Sequence, residues 1–160
     1  MIMILNETSL SVALPAVMAD FSIPATAAQW LTTGFMLTMG VVIPTTGYLL
    51  ERFSTRQIFF ASTGLFLAGT VIAALAPAFL VVLGGRVVQA AGTALMIPTL
   101  MTVAMTLVPP QRRGSVMGII SIVISVAPAL GPTVGGAIVN ALSWHFIFWA
   151  CLLYTSDAAD

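Results

Sequence analysis

The chain has 160 residues, and ten of them carry a formal charge: five Arg, no Lys, and the carboxylates Glu7, Asp20, Glu51, Asp157 and Asp160. Charged residues are 6% of the total and apolar residues 59%, with a mean hydropathy of +1.10. That excludes a water-soluble enzyme, in which roughly a quarter of residues are charged. It also excludes a disordered chain, which needs low hydrophobicity, and a nucleic-acid binder, which needs a basic face. An integral membrane protein remains. The single cysteine, Cys151, allows neither an intrachain disulfide nor a Cys-based metal site.

Apolar stretches of about 20 residues are long enough to cross ~30 Å of hydrocarbon as helices. The first covers 1–19 and contains Glu7. No basic n-region precedes it, so it does not read as a secretory signal. Asp20, Ser22 and Pro24 follow, and a second span covers 27–50. Its start reads as a capping box, Thr26 to Gln29, with Trp30 at interface depth. The break 51–56 holds Glu51, Arg52 and Arg56, and a third span covers 57–76. Pro77 marks a short turn before a fourth span, 78–108, with Pro98 inside it. Pro109 and Pro110 end it, since two prolines cannot continue a helix. Arg112 and Arg113 precede a fifth span, 114–142, and a sixth begins at 146. Long continuous apolar runs argue against a membrane barrel, whose strands alternate.

Four Arg fall in the loops on one side and none in the loops on the other. The positive-inside rule then puts the Arg52–Arg56 and Arg112–Arg113 loops in the cytoplasm. Small residues recur at spacing four, at Gly64 and Ala68, at Ala90 and Ala94, and at Ala127, Gly131 and Gly135. Such rows let helices pack closely.

Residues 151–160 do not fit a sixth span. Nine apolar residues from 146 reach only about 14 Å, half a bilayer. The decapeptide also resembles the translation of a sequencing adaptor, so the native segment is expected to be 1–150. Without it, five Arg face Glu7, Asp20 and Glu51.

Glu7 and Arg86 are the charges inside spans. Counting ~1.5 Å per residue from the outer ends of their helices places both near the midplane, about 18 and 14 Å deep. A charge there costs at least about 2.5–3.5 kcal/mol and usually marks an ion or substrate path. Glu can take up a proton while Arg stays charged, so the two form a plausible proton-coupling pair. A structural ion pair is the plain alternative. In span five, Pro128, Gly131, Pro132, Gly135 and Gly136 crowd the mid-membrane and predict a hinge or a close helix crossing. Phe35, Met36, Met39 and Trp30 could offer an apolar surface to a drug, or face lipid.

Four segments together resemble a known family. LNETSLSVALP (5–15) is similar to the first-helix motif of fourteen-helix drug:proton antiporters of the major facilitator superfamily, the EmrB/QacA-like family. Asn6 stands where Asp is commoner, a form like that of the lincomycin-resistance branch. GYLLERFSTR (47–56) is similar to the G-x-L-x-D-R-x-G-R-R loop motif, with Ser54 and Thr55 departing from it. LGGRVVQAAG (83–92) looks like the fourth-helix motif, and GPTVGG (131–136) like the antiporter motif of helix five.

The resemblance implies an all-α integral membrane fold, the N-terminal part of a transporter bundle with about five transmembrane helices and the start of a sixth. It implies that Arg86 and Gln89 take part in proton transfer with Glu7. Gly47, Glu51, Arg52 and Arg56 would form a cytoplasmic gate, and the kinked helix five would favour export. The implied partners are protons, small amphipathic drug-like substrates, the lipid bilayer of a prokaryotic inner membrane and the remaining transporter helices. No cofactor, metal or nucleic acid is implied. The rival readings are a facilitator-superfamily carrier for another cargo, such as a metabolite or siderophore, and a non-transporting membrane scaffold. No nucleophile–base pair, HExxH or phosphate loop points to an enzyme.

Overall fold

A computed structural model describes residues 2–141 and 143–157. They form seven helices: α1 Ile2–Phe21, α2 Ala25–Ala28, α3 Trp30–Arg52, α4 Thr55–Ala74, α5 Phe79–Leu107, α6 Pro110–Ala141 and α7 His145–Asp157. No strand occurs among the described residues.

The breaks follow local chemistry. α1 stops where Ser22 turns left-handed (φ 51°) and the Ile23 amide reaches back to the Met18 carbonyl at 3.2 Å, a helix-closing bond of the Schellman kind. The capping box expected at Thr26 is not there. Pro24, with φ −69° and ψ 157°, starts the helical turn two residues earlier, and its carbonyl accepts from the Ala27 and Ala28 amides. Thr26 is therefore already inside α2, and a proline-fixed φ has displaced the side-chain cap. The capping box lies instead at Ser54 and Gln57, whose side chains and backbone amides bond reciprocally at 3.1 and 3.3 Å. It turns the chain sharply between α3 and α4. Pro110, expected to lie in a loop, is the first residue of α6, a position where the missing amide costs nothing. Arg113 Nε donates back to the Val108 carbonyl at 3.0 Å, a cation on the open end of α5.

Among the described residues, four segments are long and apolar enough to cross a membrane: Ala25–Arg52, Thr55–Ala74, Phe79–Leu107 and Pro110–Ala141. α1 fills the place of the expected first span and carries Asn6, Glu7, Thr8, Ser9 and Ser11 along its length. α7 is a single helix through the junction at 150–151, and Cys151 is buried. Residues 158–160 of the expected adaptor tail lie outside the described residues.

α5 packs along α4 on one side and α3 on another. α1 packs chiefly on α6, and α7 bridges α4 and α1. The α4–α5 seam brings backbone against backbone. A Cβ on Gly69 would fall 2.5 Å from the Gln89 nitrogen, and one on Gly92 would fall 2.6 Å from the Ser62 carbonyl oxygen. The expected Gly64–Ala68 row is exposed and is not this seam. The buried row is Ser62, Phe66, Gly69, Thr70 and Ala73. On α5, Ala90 and Ala94 are buried as expected.

α1 meets α6 in the same manner. Gly131 and Gly135 face it, a Cβ on Gly135 would sit 2.7 Å from the Ser9 Cβ, and Ser9 Oγ donates to the Gly131 carbonyl at 2.8 Å. At the far end of α1, an apolar cluster of Leu10, Ala13, Val17, Leu31, Val82, Trp144, Ile147 and Phe148 forms the core. There the Trp144 indole N–H donates to Asp20 at 3.0 Å. Large apolar side chains cover the outside, among them Leu37, Leu80, Ile119 and Ile122. In water such a surface would aggregate; in a bilayer it is the solvent-facing side.

Candidate functional site

Arg86 is the largest fully buried side chain, 1% exposed. It projects from α5, next in the chain to Gly85, where the lack of a side chain lets α4 cross close to α5 at Gly69. A cation in such a place must find dipoles or a counter-charge, since burying it bare costs several kcal/mol. Nη1 donates to Asn6 Oδ1 at 2.9 Å and, by a short bond, to Gln89 Oε1. The guanidinium also lies 4.3 Å from the centre of the Phe35 ring, which brings in α3 through a cation–π contact. Nε finds no hydrogen-bond partner.

The partners are themselves held. Gln89 Nε2 donates to Thr70 Oγ1 at 2.9 Å, and Thr70 Oγ1 donates to the Phe66 carbonyl at 2.7 Å. Asn6 Nδ2 donates to Cys151 Sγ at 3.1 Å. One buried chain of hydrogen bonds therefore ties α1, α4, α5 and α7 around a permanent positive charge.

Of the expected proton-coupling residues, Arg86 and Gln89 touch directly. Glu7 is half-buried on α1, next to Asn6, within electrostatic reach of Arg86. The direct partner of Arg86 on α1 is Asn6, which sequence reasoning passed over in favour of the charged residue beside it. Thr70 was missed altogether: a threonine in an apolar helix carries no signal of a partner. Phe35, read as a drug-facing or lipid-facing residue, is buried under the guanidinium. Met36 and Trp30 are exposed.

The expected gate residues lie elsewhere. Gly47, Glu51, Arg52 and Arg56 are all exposed at the end of α3 and the start of α4. Arg52 Nη1 donates to Tyr48 Oη at 2.7 Å, and a Cβ on Gly47 would meet nothing within 4 Å. In the expected antiporter motif, Gly131 and Gly135 are buried against α1, while Pro128 and Pro132 are exposed. Gly136 stands 3.7 Å, measured from a Cβ, from Val12. The expected close crossing is present, and α6 runs through both prolines as one helix.

Residues 1–155 match the family model of the Major Facilitator Superfamily. The chain belongs to that superfamily. It is 48% identical over 149 residues to the uncharacterized MFS-type transporter YcnB of Bacillus subtilis, covering 93% of this chain and 32% of the relative. It is 45% identical over 147 residues to the lincomycin resistance protein LmrB of the same organism, covering 92% and 31%. The multidrug resistance protein B homolog of Mycobacterium tuberculosis is 36% identical over 143 residues, covering 89% and 26%. The chain thus spans about a third of the length of these curated relatives. Its helices are the N-terminal part of a multi-pass transporter bundle of this superfamily, in the lincomycin-resistance-like branch.

Proposed function

We propose that this chain is a segment of a proton-coupled multidrug efflux transporter that exports small amphipathic drugs in exchange for protons. The observation that carries the reading is Arg86: a permanent cation, fully buried among helices of a superfamily transporter, with Gln89 on its guanidinium and a half-buried carboxylate, Glu7, in its field. A scaffold subunit has no use for so costly an arrangement. Relatives named for lincomycin and multidrug resistance support a drug as cargo.

In this reading a proton entering from outside neutralises Glu7. Losing that negative charge changes the force on Arg86 and on the helices tied to it. The change biases rocking between outward-open and inward-open states. Gly47, Glu51, Arg52 and Arg56 would act as a cytoplasmic gate only against the rest of the transporter, which fits their exposure here. Pro128, Gly131, Pro132, Gly135 and Gly136 would hold α6 against α1 in the export-competent geometry. The Arg52–Arg56 and Arg112–Arg113 loops lie in the cytoplasm of a prokaryote, and residues 151–160 derive from an adaptor.

The test is Glu7→Gln in the full-length transporter, reconstituted in vesicles with an imposed pH gradient. The expected result is loss of gradient-driven drug efflux with drug binding retained; undiminished gradient-driven efflux would sink the coupling role. Thiol labelling of cysteines placed beside Arg112 should need inside access, and labelling from outside would overturn the topology.

A further inference from the structure

We infer that Asn6 is a positioning residue for Arg86: a neutral amide that fixes the guanidinium without cancelling its charge, and so leaves that charge free to act on Glu7. The inference rests on the reading of Glu7 and Arg86 as the coupling pair and adds to it a residue and a reason.

Asn6 is 1% exposed, so its amide must be satisfied inside the protein. A guanidinium has only donors, so only the amide oxygen can face it. Oδ1 does so, 2.9 Å from Nη1, a bond within the segment 1–150. A flipped amide would set donor against donor, so the bond to Arg86 fixes its orientation. The other acceptor on Nη1, Gln89 Oε1, is also neutral. Around Arg86, among the described residues, the charged and titratable groups from the packed helices are Glu7 on α1 and the Cys151 thiol on α7, the latter in the segment read as adaptor-derived. α3 contributes the Phe35 ring and α4 the Thr70 hydroxyl, through Gln89. The direct contacts of the cation are therefore uncharged, and the nearby carboxylate is the residue next to Asn6 in the chain. Adjacent residues on a helix point about 100° apart. One can hold the guanidinium while the other stays open to a proton.

A carboxylate at position 6 would change this division of labour without changing its shape. It would pair with Arg86 directly and withdraw the cation from Glu7. Asn6→Asp in the full-length transporter is the test, read as the pH profile of ethidium efflux in proteoliposomes beside wild type, Asn6→Ala and Glu7→Gln. The expected result for Asn6→Asp is an alkaline limb moved up by about one pH unit, because proton loading then continues to higher pH. Asn6→Ala is expected to lower kcat about tenfold with KM within about twofold, since Arg86 loses an acceptor while the drug loses no contact.

If Asn6→Asp does not accumulate in membranes, Asn6→Ala carries the test alone. Profiles and kcat indistinguishable from wild type, with Glu7→Gln inactive, would overturn the role of Asn6 and leave the coupling pair standing. Glu7→Gln with full coupled efflux would overturn both. A rise in KM alone for Asn6→Ala would also overturn it, by making Asn6 a drug contact.

Discussion

Arg86 and Arg52 are the same side chain on neighbouring helices, and their surroundings give them opposite weight. Arg52 is exposed, bonded to one tyrosine hydroxyl four residues back on its own helix. Arg86 is buried, bonded across helices, and its partners are bonded in turn. The first can be moved at little cost because water replaces whatever it loses. The second cannot, because every group that faces it would be left unpaired in a medium without water. The difference comes from the helices packed around Arg86, among them α5 held against α4 at a glycine seam, and not from the arginine itself.

The sharpest way to break the contrast is to force the seam apart. Gly69→Leu should destabilise the full-length transporter by about 3 kcal/mol or more, since its Cβ alone would overlap the α5 backbone; thermal unfolding in detergent reads this. Gly64→Leu, on the exposed face of the same helix, is the matched control and should leave the melting temperature unchanged. Next comes Arg86→Ala, which removes the charge and strands Asn6 and Gln89. A loss of about 2 kcal/mol is expected, together with loss of proton-coupled efflux. Ser9→Ala deletes one hydrogen bond to the Gly131 carbonyl and should cost about 1 kcal/mol. Smallest of all, Arg52→Ala should leave the melting temperature where it is; any effect it has should appear in transport and not in stability. A large drop for Arg52→Ala, or none for Gly69→Leu, would erase the distinction.

Much of this could be read in the residues. Apolar length located the helices, proline and charged residues located most of the breaks, and motif order pointed to the family. Arg86 stood out because charge in such a span is rare. What could not be read was register. Gly64–Ala68 and Gly69–Ala73 both place small residues four apart on α4, and the pattern cannot say which row meets α5. Likewise Asn6 and Glu7 differ by one position, and the charged residue drew attention that the geometry gives to the amide. The Thr26 and Ser54 capping patterns are alike on paper. Pro24, two residues upstream, is what separates them.

The pairing of α1 with α6 bears on how the protein is made. Helices α3, α4 and α5 find one another soon after synthesis, since each packs on a near neighbour in the chain. Ser9 and Gly131 are 122 residues apart. At about 5–20 residues per second, α1 waits roughly 6–24 s for its partner. Throughout that interval Asn6 and Ser9, groups that end up buried, have no α6 or α7 against which to lodge. A helix made before α3, α4 and α5 is thus seated after them. An early stop in translation would therefore strand the polar face of α1, even though α3, α4 and α5 had already packed correctly.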